Sequence, residues 1–449
     1  MTSGNPLKLI TKFSVPIMLG QLLQLAYNMA DTVIVGRIIG TDALAAVGAT
    51  GTIFSFFTCL IIGLMSGFSV VCGKKYGAGD RDGLKKVYVN GLMITIFLCV
   101  VFTFAGVFLA NDMLELMNTP DKIFHDAHSY LVTVLAGFTT TMLYNFFGEL
   151  MRALGNSKRP FMYLFISSVI NIVLDLLFVG VFGMGVFGAA FATVIAQAVS
   201  AVLCFVYMYR SVDVFRISLK EFVFHKATAF ECLRIGVPAM ILQVAVMSGL
   251  IIKQAFLNDI GTDFIAASSA ASKLVNLFNI PTNGFVLAMA VYVAQNYGAK
   301  DFKRIRLGIR QTLIITYAVD IFLLVFSLVA SKYIIAFMVG SQETTVITNG
   351  RLYVNIHMFA SLALIPLVTF KCALQSLGRP LFPTISGFVE VGIRLMSVVW
   401  LVKYMGYVGI ALTDPFTWFV TGLFFVIVYT FEIKKVQKEL CAVENQNNT

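Results

Sequence analysis

Three acidic or amide side chains lie inside long apolar runs in the first half of the sequence. Asp31 belongs to a run that begins at Phe13, and Asn171 and Asp175 belong to a run over residues 161–182. Residues four apart share a helix face, so Asn171 and Asp175 should face the same neighbour. Two carboxylates in a medium of low dielectric constant repel when both are ionised, which favours proton uptake. This pattern predicts reversible binding of a proton or cation.

Each of these residues also has a purely structural interpretation. Asp31 is compatible with an interfacial aspartate near a helix end, and Asn171 with Asp175 is compatible with a polar contact between helices. Two further polar residues, Asn145 and Thr193, fit an interhelical hydrogen bond and a hydroxyl bonded back to its own helix. The residues alone leave these alternatives open.

The surrounding sequence determines the class of protein. The 449 residues are 58% hydrophobic and 12% charged, with a mean hydropathy of +0.86. A soluble protein has roughly 25% charged residues, because it must coat its surface. Continuous apolar runs of about 20 residues are typical of membrane-spanning helices, whereas barrel strands alternate over about 10 residues. We therefore predict an all-α integral membrane protein and exclude the soluble, disordered and coiled-coil classes.

The apolar runs predict twelve transmembrane helices, six on each side of a basic and aromatic stretch at 210–234 that is typical of an amphipathic interfacial segment. We predict an amino-terminal six-helix lobe over 1–209, the cytoplasmic linker 210–234, a carboxyl-terminal six-helix lobe over 235–431 and a polar cytoplasmic tail over 432–449. The predicted spans are 13–36, 44–72, 88–110, 129–151, 160–182, 186–209, 235–257, 265–293, 311–331, 353–376, 382–402 and 409–431.

The basic residues orient these spans. Of the 33 Lys and Arg residues, 24 fall in the termini and in alternate connections, 5 in the other connections and 4 within spans. Basic residues concentrate on the cytoplasmic side of membrane proteins. We therefore expect both termini to be cytoplasmic and the chain to be a multi-pass protein of the inner (plasma) membrane. The net charge of +10 then faces anionic lipid, and no nucleic acid partner is expected.

The two halves of the chain repeat each other at an offset of about 221 residues. Because each half holds six spans, both halves enter the membrane in the same direction, which predicts two bundles related by a parallel pseudo-two-fold axis. Two such bundles can rock against each other. The matching segments include Val15-Pro16 with Val237-Pro238, Gly40-Thr41-Asp42 with Gly261-Thr262-Asp263, Tyr76-Gly77-Ala78 with Tyr297-Gly298-Ala299, and Met184-Gly185 with Met405-Gly406.

Over essentially its whole length the sequence resembles the multidrug and toxic compound extrusion (MATE) transporters, and most of all their branch of the DNA-damage-inducible protein F (DinF) type. The motifs that carry the resemblance are Pro16…Gly20-Gln21…Asp31…Gly36-Arg37…Gly40…Ala43-Leu44-Ala45-Ala46, the Tyr-Gly-Ala loops and Ala153-Leu154-Gly155…Arg159-Pro160.

The resemblance implies an antiporter that exports amphipathic, often cationic, drugs and toxic organic compounds by alternating access. Protons, or alternatively sodium ions, would drive it, and no cofactor is expected. It also implies a helix-bending role for Pro16. The sodium-coupled NorM branch carries acidic residues in spans 7, 8 and 10, and no matching carboxylate is found here. The coupling positions that the resemblance implies are Asp31, Asn145, Asn171, Asp175 and Thr193.

The second half carries its own intramembrane charges, which we expect to form pairs or to bind an anionic group of a substrate. Glu390 and Arg394 are four residues apart and are expected to neutralise each other within one helix. Through the repeat, Asp31 corresponds to Lys253, Asp175 to Arg394 and Thr193 to Asp414. We therefore place the proton site in the first bundle alone. The second-half charges are Lys253, Asp320, Lys371, Glu390, Arg394 and Asp414.

Three other functions compete with drug export. A lipid-linked precursor flippase of the same superfamily would need a cationic cavity, for which Lys253, Lys371 and Arg394 are candidates. A channel lacks a filter motif here, and an intramembrane enzyme lacks a nucleophile–base pair, so we expect no enzymatic activity. No GxxxxGK[ST] loop for ATP is present.

Some weaker features have expected structural roles. His125 and His128 would belong to a solvated outer loop rather than a metal site, so no bound metal is expected. Glu149 and Arg152 would form an intrahelical pair. We expect the protein to act as a monomer whose partners are its small-molecule amphipathic substrates and the lipid bilayer.

Overall fold

The chain is entirely helical over the residues that the computed structural model describes, 1–258, 260–339 and 344–447. Helices prevail because a backbone surrounded by apolar side chains must satisfy its own hydrogen bonds. The α-helices are α1 Pro6–Ile38, α2 Thr41–Gly77, α3 Arg81–Phe108, α4 Ala110–Leu116, α5 Asp121–Ala136, α6 Phe138–Ala153, α7 Lys158–Asp175, α8 Gly185–Ser211, α9 Lys226–Asn258, α10 Thr262–Gly298, α11 Phe302–Val339, α12 Thr344–Ser376, α13 Leu381–Met405 and α14 Tyr407–Asn447.

Eleven of these helices are long and apolar enough to cross a membrane, and the bent pair α5 and α6 makes a twelfth span. The pair bends by 45° at the break. There Gly137 lies so close to Val194 of α8 that a Cβ would collide with it. The twelve predicted spans are therefore present, but the fourth is broken rather than continuous.

The connection predicted as an outer loop between the third and fourth spans is largely helical. It contains α4, and α5 begins at Asp121, so His125 and His128 lie on a helix and not in a loop. The expectation of a loop was wrong because the first turns of α5 are polar at the surface and apolar toward the core. Among the described residues, no group of three or more His, Cys, Asp and Glu side chains is arranged to hold a metal ion.

Residues 210–234 hold two short 3₁₀ turns, Asp213–Phe215 and Leu219–Glu221, before α9 begins. The Phe215 ring is buried and stacks on Tyr88 with the ring centroids 4.6 Å apart. The polar tail is helical up to Asn447, and residues 448–449 lie outside the described part of the chain.

The chain divides into two compact units, residues 19–240 and residues 1–18 with 241–449. We call them the amino-terminal and the carboxyl-terminal unit. Their boundaries fall inside α1 and α9, each two residues after a proline, Pro16 and Pro238. Each of these two helices therefore contributes residues to both units. The lobe boundaries predicted from the sequence, 1–209 and 235–431, stay a prediction.

Two close helix contacts occur at equivalent positions of the internal repeat. In the amino-terminal unit, a Cβ on Gly63 of α2 would lie 2.5 Å from the Cα atom of Met240 on α9. In the carboxyl-terminal unit, a Cβ on Gly284 of α10 would collide with Met18 on α1. Both residues of the second contact lie at the repeat positions of the first. Small residues let membrane helices approach closely, so the glycines fix this packing in both units.

The helices that follow these glycine-containing helices also begin in the same way. Asp80 accepts a hydrogen bond from the Gly83 backbone N–H at 2.8 Å, and Asp301 accepts one from Arg304 N–H at 2.9 Å. Such caps satisfy free N–H groups in the first turn. The Gly83 bond, together with the nearby Lys75 ammonium, holds the pKa of the Asp80 carboxyl below its ordinary value. The repeat thus extends to helix capping.

The packing of α2 on α9 predicts the outcome of a matched pair of glycine substitutions. A Cβ on Gly67 would lie 2.5 Å from the Gly236 backbone nitrogen, whereas a Cβ on Gly51 would meet nothing within 4 Å. We expect Gly67→Ala to lower the free energy of unfolding by about 1–3 kcal/mol, because backbone must move to admit the methyl group. Gly51→Ala, on the same helix, should leave stability unchanged or slightly higher. Thermal unfolding in detergent measures both, and equal melting temperatures would contradict this packing.

Candidate functional site

Asp31 of α1 and Asp175 of α7 approach within hydrogen-bonding reach of each other in the amino-terminal unit. Asp175 is 1% exposed, at the last residue of α7, where the chain continues as the π-helical turn Leu176–Val181. Turns of this kind interrupt regular helix hydrogen bonding and occur often at functional sites. The pair joins the first span to the fifth.

Three of the four carboxyl oxygens of this pair have no hydrogen-bond donor in the described part of the chain. Asp31 Oδ1 and both carboxyl oxygens of Asp175 are buried and have no partner among the described residues. Ionised carboxylates only accept hydrogen bonds, so neither can satisfy the other. A proton on one of them supplies the missing donor and removes the repulsion. The arrangement is therefore suited to carry a proton.

A small cavity of about 10 Å³, which is room for one water molecule, is lined by Tyr27 and Asn171, each of which lies four residues before one member of the pair. Both amide atoms of Asn171 and Oε1 of Gln197 are buried without a partner among the described residues. Thr193 donates its hydroxyl to the Ala189 carbonyl at 3.1 Å. The cavity is lined by Tyr27, Leu164, Ser167, Ser168, Asn171, Thr193, Ala196 and Gln197.

The structure brings together most, but not all, of the predicted coupling residues. Asp31 and Asp175 are in contact, and Asn171 and Thr193 line the adjacent cavity. Asn145 instead donates its amide to the Thr141 carbonyl of its own helix, at 2.8 Å, and does not line the cavity. The shared role of all five residues in coupling stays a prediction.

Several residues of this site were missed by the sequence reasoning, although a signal was present. Ser167 and Ser168 lie one helical turn before Asn171, and Gln197 lies four residues after Thr193. Residues at these spacings share a helix face, so the polar residues already identified could have predicted that these neighbours face the same site. Tyr27 stands four residues before Asp31 for the same reason.

The carboxyl-terminal unit holds a buried ion cluster at the repeat positions of the carboxyl pair. Asp414 of α14 accepts from Lys253 of α9 and, at 3.0 Å, from Nε of Arg394 of α13. Lys253 also donates to the Tyr353 hydroxyl at 2.8 Å. One carboxylate thus lies between two cations, at the positions equivalent to Asp31, Asp175 and Thr193.

His357 completes this cluster and was not among the predicted site residues. Its Nδ1 lies 3.0 Å from the Tyr353 carbonyl, and its Nε2 lies 3.6 Å from Asp414 Oδ2. The imidazole stacks on the Tyr353 ring with centroids 3.9 Å apart. As the one histidine within a predicted span, it could have been singled out from the sequence.

The predicted intrahelical pair of Glu390 and Arg394 was wrong. Glu390 instead accepts from Lys371 of α12 at 3.3 Å, while Arg394 pairs with Asp414. Spacing of four residues puts both side chains on one face, but neighbouring helices offer each a closer partner. Asp320 does not join these pairs either and bonds to Ser361. Glu149 and Arg152 do form the expected pair, at 2.9 Å.

Membrane proteins built from duplicated helical bundles, with charged residues buried inside each bundle, are typically secondary transporters. The chain belongs to the MatE family, whose sequence pattern matches it twice, over residues 16–177 and 238–400. The double match confirms the internal repeat. The protein is therefore a MATE-type membrane transporter and not an enzyme.

Similar proteins cover nearly the whole chain. The probable multidrug resistance protein YoeA of Bacillus subtilis (strain 168) is 28% identical over 435 residues, which cover 95% of this chain and 94% of YoeA. The probable multidrug resistance protein NorM of Thermotoga maritima is 26% identical over 420 residues, covering 90% and 87%.

A solved structure confirms the fold. It is described as the outward-facing conformation of a multidrug resistance MATE family transporter of the MOP superfamily. Its sequence is 21% identical, and it superposes with a TM-score of 0.90 over 96% of this chain and 97% of that one. Membership of the DinF-type branch stays a prediction.

The ion cluster predicts a large effect of one neutralising substitution. Asp414→Asn leaves Lys253 and Arg394 buried without their shared carboxylate, and we expect a loss of roughly 3–5 kcal/mol of unfolding free energy. The matched control is Asp42→Asn, because Asp42 pairs with Lys122 at 2.8 Å at the surface. Exposed pairs contribute about 0–1 kcal/mol. Thermal unfolding in detergent compares the two, and similar small losses would argue against the buried cluster.

The corrected pairing of Glu390 predicts which residue it is coupled to. A double-mutant cycle between Glu390→Gln and Lys371→Gln should give a coupling energy of about 0.5–3 kcal/mol, because these side chains interact directly. A second cycle, between Glu390→Gln and Arg394→Gln, should give a smaller coupling energy. Unfolding free energies of the single and double variants supply both values. A larger coupling energy in the second cycle would instead support the intrahelical pair of Glu390 and Arg394.

Proposed function

We propose that the protein is a proton-coupled antiporter that exports amphipathic, often cationic, organic compounds by alternating access. The observation that carries this proposal is the contact between Asp31 and Asp175, two carboxyl groups of which three oxygens are buried without a partner among the described residues. A group of this kind can exist either with a proton or with a substitute cation. Competition between proton and cationic substrate for such a site is the basis of exchange.

In this proposal the pair takes up a proton from outside, which releases substrate, and returns the proton to the cytoplasm. The orientation follows from the basic residues, with both termini cytoplasmic in the inner (plasma) membrane. Asn171 and Thr193 stabilise the water or proton beside the pair. Asn145 belongs to the same branch-specific set through the DinF-type resemblance, and Pro16 allows α1 to bend. The lobes 1–209 and 235–431 act within a monomer, and no cofactor takes part.

The proposed substrate class rests on the relatives and on charge. Both relatives described above are named as probable multidrug resistance proteins. The 41 Phe and 19 Met residues supply adaptable apolar surface for varied aromatic compounds. A proton, rather than a sodium ion, is favoured because two carboxylates in contact are both acceptors, and a proton supplies the hydrogen-bond donor that the pair lacks.

A flippase for lipid-linked precursors is the second candidate, and one observation favours it. Arg394 Nη1 is buried without a partner among the described residues, and two cations surround one carboxylate in its cluster. An anionic group could be held there. Against this reading, Lys253 and Lys371 are both paired with carboxylates, as expected for a structural role.

The proposed coupling predicts that one substitution abolishes uphill transport but leaves substrate binding intact. Asp31→Asn keeps the size of the side chain but cannot titrate, so proton-driven uphill efflux of a cationic dye should fall to background while substrate binding persists. The assay uses proteoliposomes in which proton and sodium gradients are imposed separately.

Asp42→Asn, a surface substitution of the same type, is the control and should transport normally. Uphill efflux by Asp31→Asn under a proton gradient would contradict the role of Asp31. Transport by the parent protein under a sodium gradient alone would show that the coupling ion is sodium and not the proton. Binding of lipid-linked pyrophosphates without dye efflux would favour the flippase.

A further inference from the structure

Asp320 is a carboxylic acid in the middle of α11 for which the transport mechanism has no use. It is 1% exposed, and it forms no ion pair with any described residue. Its Oδ1 is buried without a partner in the described part of the chain. An isolated ionised carboxylate in such surroundings is costly and is avoided by protonation. The other buried acids described in this unit, Glu390, Asp414 and Glu432, all have cationic partners.

The contacts of Ser361 on α12 indicate that Asp320 carries a proton. Ser361 Oγ lies 2.5 Å from Asp320 Oδ2 and 2.5 Å from the Met358 carbonyl oxygen. Both are acceptors when Asp320 is ionised, but a hydroxyl has a single proton to donate. One of the two short oxygen–oxygen contacts would then have no hydrogen between the atoms. A proton on Asp320 removes this conflict.

None of the titratable groups described on the surrounding helices forms an ion pair with Asp320. On α11 itself, Tyr317 donates its hydroxyl to the Leu362 carbonyl at 3.1 Å. On α12, His357 lies one turn before Ser361 and is directed to Asp414. On α10, Lys273 is exposed and makes no ion pair with Asp320. Protonation is therefore the available way to neutralise the acid.

We propose that Asp320 is a second proton-binding site, in the carboxyl-terminal unit, and that it holds its proton at neutral pH. The proton lies on Oδ2 and is donated to Ser361 Oγ. The Ser361 hydroxyl in turn donates to the Met358 carbonyl, so that both short contacts contain a hydrogen. This site is separate from Asp31 and Asp175 and does not depend on their role in transport.

The internal repeat shows that this site has no counterpart in the amino-terminal unit. The position equivalent to Asp320, at the offset of 221 residues, is Cys99 of α3. Cys99 is buried and directs its thiol to the Met142 sulfur at 3.5 Å. An acid has thus been placed on a helix face where the other unit has a small, weakly polar side chain.

Infrared spectroscopy of the purified protein in lipid at neutral pH tests this proposal. The carbonyl stretch of a protonated carboxylic acid lies apart from that of a carboxylate. The measurement is made in a chain carrying Asp31→Asn and Asp175→Asn, which removes the other candidate acids. We expect Asp320→Asn in that chain to remove absorption equivalent to one carboxylic acid per molecule. An unchanged spectrum overturns the proposal, whatever the outcome for transport.

Ser361→Ala provides the second variant. It removes the acceptor of the Asp320 proton while leaving the acid in place, so the acid band should remain but move in frequency. Asp320→Asn should fold, because its amide can donate to Ser361 Oγ as the acid does. If that variant is not recovered, the band shift in Ser361→Ala, read in the otherwise unaltered chain, decides the question. A Ser361→Ala spectrum without any shift overturns the proposal.

Discussion

The structure depends on one constraint, which is that water is absent from the hydrocarbon interior and every buried charge must be neutralised by the protein itself. The protein meets this constraint in more than one way. Lys371 and Glu390 form a pair, and Asp414 lies between Lys253 and Arg394. The contact of Asp31 with Asp175 contains no base and can be neutralised only by a bound proton or cation. The ion pairs hold their charges permanently, whereas in the proposed mechanism the two carboxyl groups would exchange a proton.

The internal repeat places the fixed and the exchangeable arrangements at equivalent positions. Asp31 corresponds to Lys253 and Asp175 to Arg394, so two acids in one unit are replaced by two bases in the other. The two buried cations, Lys253 and Arg394, require a carboxylate to neutralise them, and Asp414 supplies it at the position of Thr193. A duplicated fold can thus keep its backbone packing, including the repeated contacts of Gly63 and Gly284, while one copy has a fixed ion cluster where the other has two acids in contact. The division of labour lies in the side chains.

The sequence predicted those features that depend on the chain alone. Run length predicted the twelve spans, and self-similarity predicted the repeat, because both are properties of order along the chain. Partner choice was predicted less well, as the assignment of Arg394 to Glu390 demonstrates. Spacing of four residues identifies a shared helix face but contains no distance to Asp414 or Lys371, which tertiary packing determines. The break at Gly137 was missed for the same reason, since the close approach of Val194 on another helix is a tertiary contact that the sequence pattern does not contain.

Helix α1 carries both Asp31 and Pro16, which are separated by about 22 Å along the axis. Because proline removes one backbone hydrogen bond, the helix is weaker there than elsewhere. In the proposed mechanism Asp31 gains and loses a proton, so the charge on the part of α1 that belongs to the amino-terminal unit would change, while the residues up to Met18 belong to the other unit. Helix α9 repeats this design with Pro238, but its Lys253 is held by Asp414 and gains no comparable change of charge. The two helices thus share a proline at the same repeat position, and they differ in whether the charged residue beyond it has a fixed partner of opposite charge.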